Sequence, residues 1–133
     1  MVELAVAQLL RTYAGAGVTV APATESVTVT EVLPKAVYTK LKNPGERPRN
    51  DSGSIGLIFT RWQIEVFAEK LAQASTITTN LTNGLDSYSG LVAGVKINSI
   101  EVIASYFGAG DRIEGLNKTT TRYTTEIKLV YRV

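Results

Sequence analysis

Apolar and polar residues alternate along two stretches of the chain in the two-residue period of β-strands. In GLIFTRWQIEVF, which begins at Gly56, one face carries Ile58, Trp62, Ile64 and Val66, and the other carries Phe59, Arg61, Gln63 and Glu65. In the final TRYTTEIKLVYRV, one face carries Tyr123, Ile127, Leu129, Tyr131 and Val133, and the other carries Arg122, Glu126, Lys128 and Arg132. Both patterns predict strands with one buried face and one face at least partly in water.

Two shorter runs, SVTVTEVL and, after Pro34, KAVYTKLK, are rich in β-branched residues and predict two further strands. The stretch NPGERPRNDSGS, residues 43–54, then separates them from the strand that begins near Gly56. Hairpins close in about two to five residues, and a structureless stretch beyond about twelve usually binds something or stays mobile. GAGDRIEGLNK, residues 108–118, predicts a second long loop.

Two segments have helical spacing instead. The first predicts a short amphipathic helix that ends at AGAG, residues 14–17, and has its apolar side at Val2, Val6, Leu9, Leu10 and Tyr13. The second predicts the long, main helix, with a stripe at Leu71, Ala74, Ile77, Leu81, Leu85 and Tyr88. Threonine is a poor helix former, so we expect packing of this stripe to hold the second helix in place.

In VKINSIEVIASYF the apolar phase shifts, which predicts a β-bulge near Asn98 and Ser99. A strand that is apolar on both faces would give a similar pattern. The order of elements predicts an α+β fold: a mixed or antiparallel sheet of four or five strands, covered on one face by a long helix, with a short N-terminal helix. We expect residues 1–133 to form a single domain.

Composition narrows the classes of function. The chain of 133 residues is 44% apolar, and its 14 Lys and Arg residues against 12 Asp and Glu residues give a net charge of +2, which argues against a mainly electrostatic partner. It contains no cysteine and no histidine, so disulfides, thiolate zinc sites and the commonest general base are missing. We predict no enzyme activity and no cofactor. The sequence shows neither a secretory leader nor a membrane span, so we expect a cytoplasmic protein without a membrane partner.

Two candidate chemistries have simpler interpretations. The glycines at 108, 110 and 115 lack the spacing of a phosphate-binding loop. Asp111 and Glu114 could form a carboxylate pair, but Arg112 lies between them, and a solvated charged turn is the simpler interpretation.

A single-strand nucleic-acid-binding surface is an open alternative. It rests on basic residues interleaved with aromatic ones: Lys35, Lys40, Lys42, Arg47, Arg49 and Arg61, with Tyr38, Phe59 and Trp62. Trp62 lies on the apolar face of its predicted strand, which favours a buried aromatic over a base-stacking one.

Four stretches together resemble the tail-completion or tail-terminator proteins of long-tailed, siphovirus-like bacteriophages. They are AVYTKL, RWQIEVFAEKLAQA, VKINSIEVI and the closing GLNKTTTRYTTEIKLVYRV. With the short first helix and the loop that contains Gly and Pro, the resemblance covers nearly the whole chain.

The resemblance implies a non-enzymatic α+β subunit that forms a homo-hexameric ring on the head-proximal end of the tail tube. Such a ring stops tube polymerisation, contacts the tail tube protein and the head–tail connector, and lets DNA pass only through its lumen. It would act in the host cytoplasm during assembly and remain in the virion. A head–tail adaptor or another minor tail protein is the alternative at a different joint.

Length and charge make the two long loops the candidate assembly elements. We expect the 43–54 loop to act as an interaction arm that becomes ordered against a neighbouring subunit or the tube. The predicted interaction residues are Arg47, Arg49 and Asp51 in this loop and Asp111 and Arg112 in the second.

Overall fold

Two helices and six strands occupy the part of the chain that the computed structural model describes, residues 2–22, 34–41, 57–113 and 118–132. In chain order they are α1 (Val2–Ala14), β1 (Thr19–Pro22), β2 (Lys35–Leu41), β3 (Leu57–Ala68), α2 (Leu71–Leu85), β4 (Gly90–Val92), β5 (Val95–Ile113) and β6 (Lys118–Arg132).

The six strands form one curled sheet in the order β1-β2-β3-β6-β5-β4. β1 is parallel to β2, and all other neighbours are antiparallel. The central pair, β3 and β6, stays in register from Leu57 opposite Arg132 to Ala68 opposite Thr121. The two alternating strands of the sequence are therefore direct neighbours, and their apolar sides lie on the same face of the sheet.

The predicted architecture of four or five strands under one long helix is wrong. The sheet has six strands, and the helices are short and similar in length, with 13 residues in α1 and 15 in α2. The added strands are the short β1 and β4. β4 joins β5 through a two-residue turn at Ala93 and Gly94, which both have positive φ angles and so suit a tight hairpin.

α1 forms as the spacing predicts. Its buried side contains Val2, Val6, Leu9 and Leu10, while Glu3 in the first turn and Arg11 in the last turn complement the helix dipole. Gly15, at a φ of 98°, follows the helix directly and ends it in a conformation that favours glycine.

α2 is shorter than the predicted stripe. Ala74, Ile77, Leu81 and Leu85 are buried as expected, but Leu71 is exposed at the first turn. Tyr88 lies beyond the helix, and its ring meets that of Tyr13 edge-on with centroids 6.3 Å apart. Packing of the buried stripe thus compensates for a threonine-rich sequence that does not favour a helix by itself.

The core lies between the helices and one face of the sheet. β3 contributes Trp62, Ile64 and Val66, and β6 contributes Ile127 and Leu129, all at most 1% exposed. Thr60 lies on the same face, where its hydroxyl donates to the Leu129 carbonyl at 3.0 Å and accepts from the Trp62 indole N–H at 2.9 Å. The only tryptophan of the chain is therefore fully buried with its polar atom satisfied.

β5 contains the predicted bulge, because its register with β6 shifts between Ile97 and Ser99. Two further shifts, between Val102 and Ala104 and between Gly108 and Asp111, were not predicted. The prediction of a loop over residues 108–118 is wrong for most of that stretch, since β5 continues to Ile113 and β6 starts at Lys118. Backbone pairing in a long hairpin overrides the Gly-rich, charged composition.

Two sequence predictions lie outside the described residues. They are the strand predicted for SVTVTEVL, residues 26–33, and the loop of residues 43–54.

Two buried threonines provide a matched test of core polarity. Thr60→Val should destabilise the protein by about 1–3 kcal/mol, because it leaves the Trp62 N–H and the Leu129 carbonyl without this partner. Thr78→Val should stabilise it by roughly 1 kcal/mol, since the buried Thr78 hydroxyl has no hydrogen-bond partner within the described structure. Urea unfolding of both variants measures the two signs, and equal effects would contradict the hydrogen-bond assignment.

Gly84 tests the contact between the helices. A Cβ atom at this position would overlap the ring of Tyr13, so Gly84→Ala should destabilise by about 1–3 kcal/mol although alanine favours a helix by about 1 kcal/mol. In a Tyr13→Ala background the same change should become neutral or stabilising. A double-mutant cycle by thermal or urea unfolding checks this coupling, and additive effects would disprove it.

Candidate functional site

The described residues form a groove of about 520 Å³ between the end of α1, the start of β1 and α2. Its lining is Ala14, Ala16, Gly17, Val18, Pro34, Ala72, Gln73, Thr76, Ile77 and Asn80. None of these side chains is ionisable, so the groove offers apolar contacts and amide or hydroxyl hydrogen bonds only. Within the described ranges, no three acidic side chains come together as a metal site. None of the described helices has the length and apolar character of a membrane-spanning segment.

The sheet face opposite the helices is a broader candidate surface. We call it the charged face; it consists of Phe59, Arg61, Gln63 and Glu65 from β3, Arg122, Glu126 and Lys128 from β6, and Glu101 from β5. The register explains its composition, because Arg61 lies opposite Lys128, and Lys128 lies opposite Glu101. The polar faces predicted for β3 and β6 are confirmed, and strand pairing joins them into one surface.

Two diagonal ion pairs cross the charged face. Arg61 Nη2 lies 3.6 Å from Glu126 Oε2, and Arg122 Nη1 lies 3.5 Å from Glu65 Oε2. Glu65 also accepts a hydrogen bond from the Gln63 amide at 3.2 Å. The four charged side chains are 21–38% exposed, so each pair contributes at most about 1 kcal/mol to folding. Their main effect is to hold the charged groups in fixed positions on the sheet.

The charged face has a hydrogen-bond donor that is not used within the described residues. The buried Nε of Arg61 has no hydrogen-bond partner within the described part of the chain. The ammonium of Lys128 lies 5.2 Å from the centroid of the Phe59 ring, a cation–π distance. The face thus presents ordered charges of both signs beside an aromatic ring, a combination suited to a polar protein partner.

Two titratable groups with shifted pKa values lie away from the charged face. Burial raises the pKa of Tyr131, with a smaller contribution from the charge of Glu3. A hydrogen bond to the backbone at the start of α1 lowers the pKa of Glu3. Tyr131 packs against the core, so these shifts belong to the helix-covered side of the sheet.

The outer edge of β5 forms a third candidate surface. β4 pairs with β5 only from Val95 to Ile97, and the segment after α2 covers the next part, where the Ser87 N–H donates to Ile100 O and the Val102 N–H donates to Asp86 Oδ1. Beyond that point, Ile103, Tyr106 and Phe107 are 43%, 48% and 51% exposed. Phe107 has one aromatic neighbour, Tyr123, at 5.5 Å between ring centroids.

The predicted interaction residues are only partly located. Arg47, Arg49 and Asp51 lie outside the described residues. Asp111 and Arg112 lie in β5, where they pair with Thr120 and Thr119 of β6. The structure therefore brings these two residues to a strand hairpin and not to a loop.

The described part of the alternative nucleic-acid surface does not assemble on one face. Arg61 belongs to the charged face, and Lys35 lies on the same side of the sheet but is buried. Lys40 and Tyr38 lie on the helix-covered face by strand alternation. Trp62 is 1% exposed and cannot stack on a base. The described basic side chains are thus divided between the two faces of the sheet, and the aromatic ones are divided in the same way.

Sequence reasoning missed the ion pairs and the open edge of β5. The polar positions of β3 and β6 were visible as alternation, so their later proximity had a signal in the sequence. The edge had none, because exposure there depends on how short β4 is and on which strand lies beside it.

Comparison with known proteins gives a likeness of fold. No protein-family model matches the chain, and neither does any curated protein. Among solved structures, a chain from one described as the virion of a native gene transfer agent (GTA) particle matches with a TM-score of 0.63. The match has 11% sequence identity and covers 97% of this chain and 92% of the other. The two chains thus share a fold over nearly their whole lengths.

Proposed function

We propose that this chain is a non-enzymatic structural subunit of a phage-like particle. The observation that carries the proposal is the whole-length likeness of fold to a chain of the gene transfer agent virion. Because the match covers 97% of this chain and 92% of the other, the likeness involves the complete fold and not one common motif. Low identity is no obstacle, since an assembly subunit needs surfaces that fit its own neighbours.

The finer role we propose is that of a ring at the head-proximal end of the tail, which stops tube polymerisation and contacts the head–tail connector. The likeness in sequence to tail-completion proteins suggests this position. The charged face supports it, because fixed ion pairs such as Arg61–Glu126 give a surface of defined pattern with little excess of charge. Such a surface can select one protein partner by the positions of its charges.

We also propose that Asp111 and Arg112, near the tip of the β5–β6 hairpin, contact a neighbouring ring or the tube. The 43–54 stretch, with Arg47, Arg49 and Asp51, would serve as a second contact. A head–tail adaptor with the same fold would use similar surfaces at the head side of the joint, so the two roles differ in which assembly step fails when the protein is missing.

Deleting the gene for this chain from its particle-producing source separates the roles. For a tail terminator, electron microscopy should show free heads beside unattached tails longer than normal, because nothing stops tube growth. For an adaptor, tails should have normal length but lack heads. Particles of normal form would contradict a structural role at this joint, and expression of the intact gene from a plasmid should restore the wild-type particles.

Charge reversal tests the proposed arm. Arg47→Glu with Arg49→Glu should reduce the yield of joined particles at least about tenfold if both residues contact a partner, as expected for interface charges that become repulsive. Arg11→Glu with Lys70→Glu makes the same change in net charge at exposed positions on the helical side and is the matched control. Particle counts by electron microscopy measure the effect, and equal yields for the two double variants would exclude the arm.

A further inference from the structure

Part of β5 has no neighbouring strand on its outer side within the described residues. From Ile103 to Phe107, β5 pairs with β6 on one side, and no described strand pairs with its other side. Exposed sheet edges are usually protected by charged residues or proline, but the segment VIASYFG, residues 102–108, contains neither. An extended segment of another chain could therefore add to β5 through main-chain hydrogen bonds, with Ile103, Tyr106 and Phe107 providing apolar contacts.

The other end of the sheet contains a candidate donor. Residues 26–33, SVTVTEVL, have the alternation and β-branched content of a strand and lie between β1 and β2 in the sequence, outside the described residues. The short β1 is a poor place for them, because Pro22 removes a backbone N–H donor from its outer edge.

Chain length prevents the donor from docking along its whole length on β5 of its own subunit, because its last residue, Leu33, must stay close to β2. Only Pro34 separates Leu33 from Lys35, the first residue of β2. Two residues span at most about 7 Å. β2 and β5 are three strand spacings apart, about 14 Å along the sheet.

The donor and the open edge nevertheless lie at the same end of the strands. Lys35 pairs with Phe67, Phe67 pairs with Arg122, and Arg122 pairs with Gly108. β2 therefore begins at the level along the strands where the open edge of β5 ends, but it lies toward the opposite edge of the sheet. A second copy that lies beside the first, with its strands in the same direction, would therefore bring its donor to this edge.

We infer that residues 26–33 of one copy add as a strand to β5 of the neighbouring copy, along Ile103–Phe107. Donor and acceptor are different surfaces of the same chain, so the contact is head-to-tail and can close into a ring. The inference rests on the ring proposed above for its closure and supplies the contact that would hold adjacent subunits together.

Cysteine cross-linking tests this contact directly, because the chain has no cysteine of its own. Full-length Tyr106→Cys protein is mixed in a glutathione redox buffer with full-length protein carrying a single cysteine at Val27, Thr28, Val29 or Thr30. A docked strand directs successive side chains to opposite faces. Because disulfides require close Cβ atoms, yields of covalent dimer should alternate along the four positions by about fivefold or more.

Two controls complete the experiment. Leu91→Cys, on β4 and 73% exposed, replaces Tyr106→Cys as the acceptor and should give only background yield. Ile103→Glu, placed in the Tyr106→Cys chain, should lower the yield about fivefold or more by putting a charge on the edge, whereas Leu91→Glu should leave it unchanged. Thermal unfolding of each variant verifies the fold.

Equal yields at all four positions, or none above the Leu91→Cys background, would overturn the inference; docking of residues 26–33 within their own subunit would give the second result. The outcome is independent of the gene deletion. If cross-links alternate but the gene deletion gives normal particles, the strand exchange is supported and the tail function is rejected. If cross-links do not alternate but the deletion gives defective particles, the tail function is supported and the strand exchange is rejected.

Discussion

The pairing of β3 with β6 is the constraint on which the rest of the structure depends. Twelve residues of β3 stay in register with β6, so every side chain of one strand has a fixed neighbour on the other. A shift of β3 by one residue against β6 would move Trp62 out of the core and Arg61 into it. The buried core and the charged face are therefore two consequences of one register.

This register also explains why two short helices are enough to cover the core. α1 and α2 cover a single face of the sheet, where Trp62, Ile64 and Leu129 need shelter from water. On the opposite face, arginines and glutamates pair across the strands and remain partly in water, while Lys35, Val37, Thr124 and Val130 are buried. The charged part of this face could therefore contact the proposed neighbouring subunits without loss of the core.

Sequence reasoning succeeded where a pattern is local and periodic. The faces of β3 and β6, the helix from Val2, the buried stripe of α2 and the bulge near Ser99 all follow from the spacing of neighbouring residues. It failed where pairing decides the outcome. β1 is too short to show a period, and residues 108–113 join a strand because a partner lies beside them. Of the predicted interaction residues, Asp111 and Arg112 are located in a hairpin, and no local pattern showed the open edge of β5.

An open edge with Ile103, Tyr106 and Phe107 would be a liability in a protein that always remains a monomer. Two features limit that risk. The register shift between Val102 and Ala104 bends the edge, which disfavours flat stacking of identical strands, and Asp86 and Ser87 cover the residues just before it. A partner strand must therefore match a bent and partly covered edge. Non-specific pairing of flat strands fits such an edge poorly. In the proposed assembly, such an edge would favour the matching strand of a neighbouring subunit over an unrelated strand.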